Sequence, residues 1–332
     1  MLTRFHKILI GLLAVQVVLT LLVLARDDDG AILQRKPILA KFDAAKVTQV
    51  KVATTSGKPV ELAKRGDAWV LASSFDYPVK ASKVDDLLSS VAKLSAAAPI
   101  ATSASRHKQL HVADDQLERK LTLTVDGKDT TLVIGNGVGS RRTALRLAGD
   151  ARVYAVSGLA AWSIGATPRE WVDPSYVRVP REEIGKLVIQ HGSQTVELAR
   201  GKATDPWTAT IDGTPVALAS GDSLDTAAID TIVGNAAEIE LMEPADPKRT
   251  ATPTATVTIE RLATNASAAP VVLDIVDDGA SYWVHQRGVD RAVVVEKAHL
   301  DPIVTVERDK LVKHAPPSTS QAKPAQGGAH SG

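Results

Sequence analysis

The stretch in this chain that most resembles chemistry is "GNGVGSRR", Gly135 to Arg142. A dinucleotide fingerprint needs a strand before such glycines, a helix after them and an acid about 20 residues on. Here "RRTALRLAGDARVYAV" follows, which reads as strand, turn and strand. No helix N-terminus would meet a phosphate, so the glycines read as hairpin residues. The chain contains no G-x-x-x-x-G-K-[ST] loop and no G-x-S-x-G elbow. His107 and His111 are spaced as paired metal ligands on one helix face. Arg106 and Lys108 flank them, however, and no H-E-x-x-H pattern exists, so they read as a solvated basic patch. Asp85-Asp86 and Asp114-Asp115 are carboxylate pairs of the kind used in acid–base work. Asp85 is better explained as a helix-start residue, and both pairs lie in polar surroundings. Without cysteine there are no disulfides, thiolate metal sites or Cys nucleophiles. The expectation is a non-enzymatic chain with no catalytic residue, no metal ligand and no cofactor.

The aromatic residues leave one opening for binding. Trp69 and Trp207 recur at equivalent points of a repeated pattern, which favours packing over ligand contact. Trp171 stands in "TPREWVDPSYVRVPREE", a Pro-rich joint with no periodicity. Arg169, Trp171 and Tyr176 are the candidate residues for an inter-repeat interface or a ligand cleft. Trp283 follows Tyr282 in a late strand and has no Trp partner in the first repeat.

These residues need elements to hold them. The 332 residues suffice for about two domains. A formal net charge of +1 provides no global field for nucleic acid. At the N-terminus, Arg4, His6 and Lys7 precede an apolar run at residues 8–25, broken only by Gln16 and Thr20. As a helix, roughly 18 residues span about 27 Å, close to a bilayer core. A retained transmembrane anchor over residues 1–29 is favoured over a signal cleaved after Val23-Leu24-Ala25. The flanking charges place the N-terminus in the cytoplasm and the body in the periplasm. A juxtamembrane linker and first strand approach follow over 30–46. The C-terminal end, 313–332, is rich in Pro, Ser, Gly and Gln and reads as disordered.

Between these ends lies an internal duplication. "VTQVKVATTSGKPVELAKRGDAWVL" opens a first repeat over 47–166, and "IGKLVIQHGSQTVELARGKATDPWTA" opens a second over 184–312, joined by 167–183. Alternation at Val50 and Val52, and at Leu187 and Ile189, marks half-buried strands. Each repeat then predicts an amphipathic helix. In the first, Ser82 and Asp85 form a capping pair, and Val84, Leu87, Leu88, Val91 and Leu94 form the apolar stripe. In the second, Asp222 and Asp225 cap, and Ile229, Ile232 and Val233 lie on the stripe. Two hairpins complete each repeat, followed by a short apolar segment at Leu159–Ile164 or Leu300–Ile303. The fold class expected is α+β: a transmembrane helix, then two modules, each a mainly antiparallel sheet with one helix.

This pattern resembles the bacterial domain-of-unknown-function 4340 proteins. The resemblance is carried by "FDAAKVTQVKV", "GKPVELAKRGDAWVL", "YPVKASKVDDLLSSVAKL", "TLVIGN", "RVYAV" and "PREWVDPSYV". It covers about Pro37 to about Lys310. The second half departs more, with "GTPVALASGDS" where the first has Tyr77-Pro78 before its helix. The resemblance implies a membrane-anchored extracytoplasmic protein, similar to components encoded beside gliding-type ABC transport systems. It implies no cofactor and no catalytic residue. The leading expectation is an accessory or scaffold protein of a transport or cell-envelope complex, attached to the membrane via residues 8–25. The alternatives are a periplasmic ligand-binding module with a cleft between the repeats, and an envelope hydrolase with scattered catalytic residues.

Overall fold

A computed structural model describes residues 35–262 and 268–315, together with residues 13, 15–18 and 20. The chain divides into two compact units. The first holds the chain up to Ser73 and Pro78–Trp171; the second holds Ser74–Tyr77 and Val172 onward.

The main sheet of the first half is built from β1 (Val47–Ala53), β2 (Val60–Arg65), β3 (Ala68–Leu71) and β4 (Tyr77–Pro78). Helix α1 (Ala81–Ala92) follows. Then come β5 (Pro99–Ala101), β6 (Arg119–Val125), β7 (Lys128–Gly137), β8 (Thr143–Leu147) and β9 (Val153–Val156). Across the sheet the nine strands run β4-β3-β2-β1-β6-β7-β8-β9-β5. The second half repeats this with β10 (Ile184–His191), β11 (Gln194–Ala199), β12 (Thr208–Ile211), β13 (Thr214–Pro215), α2 (Thr226–Ala237), β14 (Glu243–Ala245), β15 (Ala255–Arg261), β16 (Val271–Asp277), β17 (Ser281–Gln286) and β18 (Ala292–Glu296). Its order is β13-β12-β11-β10-β15-β16-β17-β18-β14. Each number is the first order's number plus nine, so the two sheets share one topology. A short helix, α3 (Lys297–Val304), follows β18.

This corrects the α+β expectation. Each half is a nine-stranded, mostly antiparallel sheet with few helices. The cause is the four edge strands β4, β5, β13 and β14, two or three residues long and each containing a proline. Such strands leave no alternation to read, yet proline, which has no N–H to donate, is at home on a sheet edge. The expected transmembrane helix falls mostly on residues outside the described ones. No helix among the described residues is long and apolar enough to cross a membrane. The tail beyond Ala315 also lies outside them.

The helices show why the packing pattern is readable. α1 buries Val84, Leu87, Leu88 and Val91, worth about 1.5–3 kcal/mol for each fully buried side chain. Its start departs from expectation: Lys80 is the N-cap, with no side-chain cap, and Ser82 is the helix's second residue. In α2, Asp225 caps as expected, accepting from the amides of Ala227 and Ala228 at 3.0 and 3.1 Å. Asp222 instead accepts from the His314 ring and the Ala315 amide. Trp69 is buried on the face it shares with Leu71. Trp207 is half-buried under the Arg200 guanidinium, 4.5 Å from the ring centroid.

The outer faces of the sheets differ. In the first unit the segment between β5 and β6 covers Val133, Ala144 and Val153 with Leu110, Val112 and Leu117. His107 is therefore buried, not solvated, with its Nε2 2.9 Å from the Ala151 carbonyl. In the second unit Trp283 does this covering, packed with Ala245, Val276 and Ala292. Its lack of a counterpart follows from the missing cover segment.

Gly135 shows how tightly the first cover is laid. A Cβ there would collide with the Leu110 carbonyl and the Val112 side chain. Gly135→Ala is expected to lower the urea-unfolding free energy by about 2–3 kcal/mol. Gly137→Ala, whose Cβ would meet only Arg142 O at 3.9 Å, should cost under about 0.5 kcal/mol.

Candidate functional site

Antiparallel register brings three segments to one end of the first sheet. Arg119 at the start of β6 pairs with Ile134 near the end of β7. Gly137 pairs with Thr143, and Thr143 pairs with Val156 at the end of β9. The residues before β6, the β7–β8 hairpin and the loop after β9 therefore meet there. They line a concavity of about 880 Å³ that includes Gly135, Gly137, Gly139, Arg119, Arg141, Arg142 and Trp162.

The glycine run is the hairpin that its sequence predicts. A register shift interrupts β7 between Ile134 and Gly137. Gly139 and Arg141 turn the chain with φ of 64° and 54°. Left-handed backbone is cheap for Gly139 and uncommon for Arg141. The Asn136 amide donates to Leu110 O at 3.2 Å, and its Nδ2 to Gln109 O at 3.3 Å. Its Oδ1 is buried with no hydrogen-bond partner.

The loop after β9 is clamped from both ends. Leu159 and Ile164 are buried, while Ala161–Ser163 forms a 3₁₀ turn between them. Ser163 Oγ closes the turn by donating to Ala160 O at 2.7 Å. Trp162 is left at the apex, 83% exposed. On its other side is a second concavity of about 400 Å³, reaching Lys83, Asp86 and Leu87 of α1 and Trp171. The two concavities share Leu159, Trp162 and Ser163. Trp162 is thus the ridge of a two-lobed trough. Leaving a Trp in water forgoes about 2–3 kcal/mol of burial, a cost the fold itself does not require.

Charge is uneven along the trough. The Arg119 guanidinium is held by the carbonyls of Ile164 and Glu118, at 3.1 and 2.8 Å. Arg141 and Arg142 are exposed. Glu118 is the carboxylate of the larger lobe, and it is taken by His111 at 2.7 Å. The second unit's concavity, about 660 Å³ beside Trp283, contrasts with this. Its Arg249 and Arg287 are paired with Asp278 and Asp274, each at 2.7–2.9 Å, and its Trp is buried. Asp114 and Asp115 pair with Arg146 and Lys108. No group of three or more His, Asp or Glu among the described residues could hold a metal ion.

The three residues singled out at the joint are distributed as follows. Arg169 is exposed, in the turn Pro168–Trp171. Trp171 is buried in the first unit, with Nε1 donating to Gly165 O at 3.0 Å. Its carbonyl accepts from the Lys80 amide at 2.8 Å, tying the turn to the start of α1. Glu170 Oε2 accepts from the Ala166 amide and from the Thr167 amide and hydroxyl, each at 2.8 Å. Burial pushes the Glu170 pKa up, but these hydrogen bonds outweigh it and hold it below its ordinary value. Tyr176 belongs to the second unit. Its hydroxyl donates to Arg291 O at 2.6 Å and accepts from the Gln286 amide at 2.9 Å.

Trp162 is the residue that the sequence reading passes over, because "LAAWSI" looks like one short apolar segment. The signal was its asymmetry: the matching "LDPI" of the second repeat, Leu300–Ile303, has no aromatic.

A family model described as Domain of unknown function (DUF4340) matches residues 69–251. The chain belongs to this family. The match contains the whole trough, from Lys83 to Trp171. No curated protein and no solved structure is detectably similar to the chain.

Tyr176 provides a test of the second unit. Burial is the main cause that pushes its pKa up to about 12 from 10.0. Its stabilisation is therefore fully present below pH 10.0 and is lost as pH rises through about 12. Tyr176→Phe removes the hydrogen bonds to the Gln286 amide and the Arg291 carbonyl and should cost about 0.5–1.5 kcal/mol near neutral pH. Denaturant unfolding at pH 8 and pH 11 should show the gap between wild type and variant narrowing at the higher pH.

Proposed function

We propose that this chain is a non-catalytic accessory or scaffold protein of the bacterial cell envelope, and that the Trp162 trough is its partner-binding surface. One observation carries the reading: a clamped turn presents an 83% exposed Trp between two concavities. Exposed aromatics flanked by cations and small residues are the side chains that dominate binding energies at protein interfaces. The body lies in the periplasm and the N-terminus in the cytoplasm, with attachment to the inner membrane through the apolar stretch 8–25. Arg4, His6 and Lys7 before that stretch support this orientation. The family resemblance points to an ABC-type transport complex as the assembly served.

Trp162→Ala removes an exposed side chain, so its unfolding free energy should match wild type within about 0.5 kcal/mol. Recovery of envelope subunits with the tagged full chain from membranes should nevertheless fall at least about tenfold. Equal recovery would remove the trough from the proposal. A phosphatase fused after Arg35 should be active in the periplasm, and an inactive fusion would reverse the topology.

A further inference from the structure

We infer that the trough recognises an extended acidic peptide segment of a partner protein, with an apolar residue of that segment seated on Trp162. The inference rests on the trough being the binding surface and adds the chemistry of what binds. The first argument is charge. Among the described residues, neither Arg141 nor Arg142 makes an ion pair or a side-chain hydrogen bond, although both are exposed at the lip of the larger lobe. Several arginines elsewhere are neutralised by carboxylates: Arg152 with Asp150, Arg249 with Asp278, Arg287 with Asp274. Arg119 adds a third guanidinium to the lobe, held in place by two carbonyls. The lobe's carboxylate, Glu118, is already engaged by His111. Guanidiniums that line one lobe with no free carboxylate beside them are complementary to carboxylates supplied from outside.

The second argument is shape. A lobe of about 880 Å³ and a lobe of about 400 Å³ meet at one ridge. A chain segment crossing Trp162 fills both, whereas an inorganic anion would fill little of either. Gly137 and Gly139 are exposed and line the larger lobe without side chains, so a peptide main chain can approach the hairpin closely. Leu159, Ala160 and Ala161 supply the apolar wall beside the Trp. The protein's own C-terminal tail does not suit the lobe, because residues 316–332 carry Lys323 and no Asp or Glu. A net charge of +1 and a single exposed Trp do not make a nucleic-acid track.

A random decapeptide library with blocked ends, passed over purified full-length chain in detergent, tests this. Retained peptides should show Asp and Glu enriched at least about fivefold beside an apolar residue, and Trp162→Ala should cut retention about tenfold. Arg141→Gln/Arg142→Gln should abolish the acidic enrichment. Both variants should keep the wild-type circular dichroism spectrum and melting temperature. Binding of an enriched peptide should weaken at least about tenfold from 50 to 500 mM salt. Retention that survives Trp162→Ala would overturn both the trough as binding surface and the acidic partner. Retention lost in Trp162→Ala but without acidic enrichment would keep the trough and overturn the acidic partner. No retention above an unrelated protein would also overturn it. So would vesicles of phosphatidylglycerol binding wild type and not the Arg variant, because that would assign the arginines to lipid.

Discussion

Each sheet depends on one non-local seam. In the first, Val50 faces Leu123 and Val52 faces Leu121 across β1 and β6. In the second, Leu187 faces Ile259 and Ile189 faces Val257 across β10 and β15. All eight side chains are at most 1% exposed. Closing the long chain between the two seam strands costs entropy before any contact repays it. Once the seam is made, every remaining strand except the edge strands β5 and β14 follows as a hairpin next to its neighbour in the chain, and those two close the far edges against β9 and β18. On one side β2, β3 and β4 meander outward; on the other, β7, β8 and β9 do, meeting β5 at the edge. Residue alternation along the seam decides which face of every later strand is buried.

The trough is a product of that frame. Because β6 and β7 are antiparallel and β8 returns to β9, one sheet end collects the hairpin arginines and the loop that carries Trp162. The second half has the same frame but a different ending. There the segment after the last central strand becomes α3, which buries Leu300, Ile303 and Val304. Its most prominent aromatic, Trp283, is turned inward to cover the sheet. One scaffold, built twice, therefore ends in an exposed ridge in one copy and a closed layer in the other.

Much of the frame is legible in the sequence. The period of two in β1 and β10, the period near 3.6 in α1 and α2, and the repetition of both patterns are direct consequences of burying one face. Asp225 is legible as a cap because its carboxylate has amides to accept from. The balance of sheet to helix is less legible, since the proline-bearing edge strands are too short to show a period. Lys80 defeats a capping rule that looks only at side chains, because its carbonyl accepts from the Lys83 amide while its own amide is anchored on the Trp171 carbonyl. Trp162 is illegible for a related reason. Its exposure is imposed by Leu159 and Ile164 being buried on either side, a relation of position that the apolar letters of "LAAWSI" conceal. The joint residues Trp171 and Tyr176 read as unusual, and the structure gives each a specific internal hydrogen bond.

The prolines at the four sheet edges have a further consequence. Tyr77–Pro78, Pro99–Ala101, Thr214–Pro215 and Glu243–Ala245 each end a ladder on a residue that cannot donate. An incoming strand would find a short rim with a missing donor, so neither a foreign strand nor a second copy gains a continuous ladder there. Twin nine-stranded sheets would otherwise be a ready seed for ribbons. With the rims closed to main-chain pairing, selectivity falls to side chains in the loops, where it can change without touching the sheets.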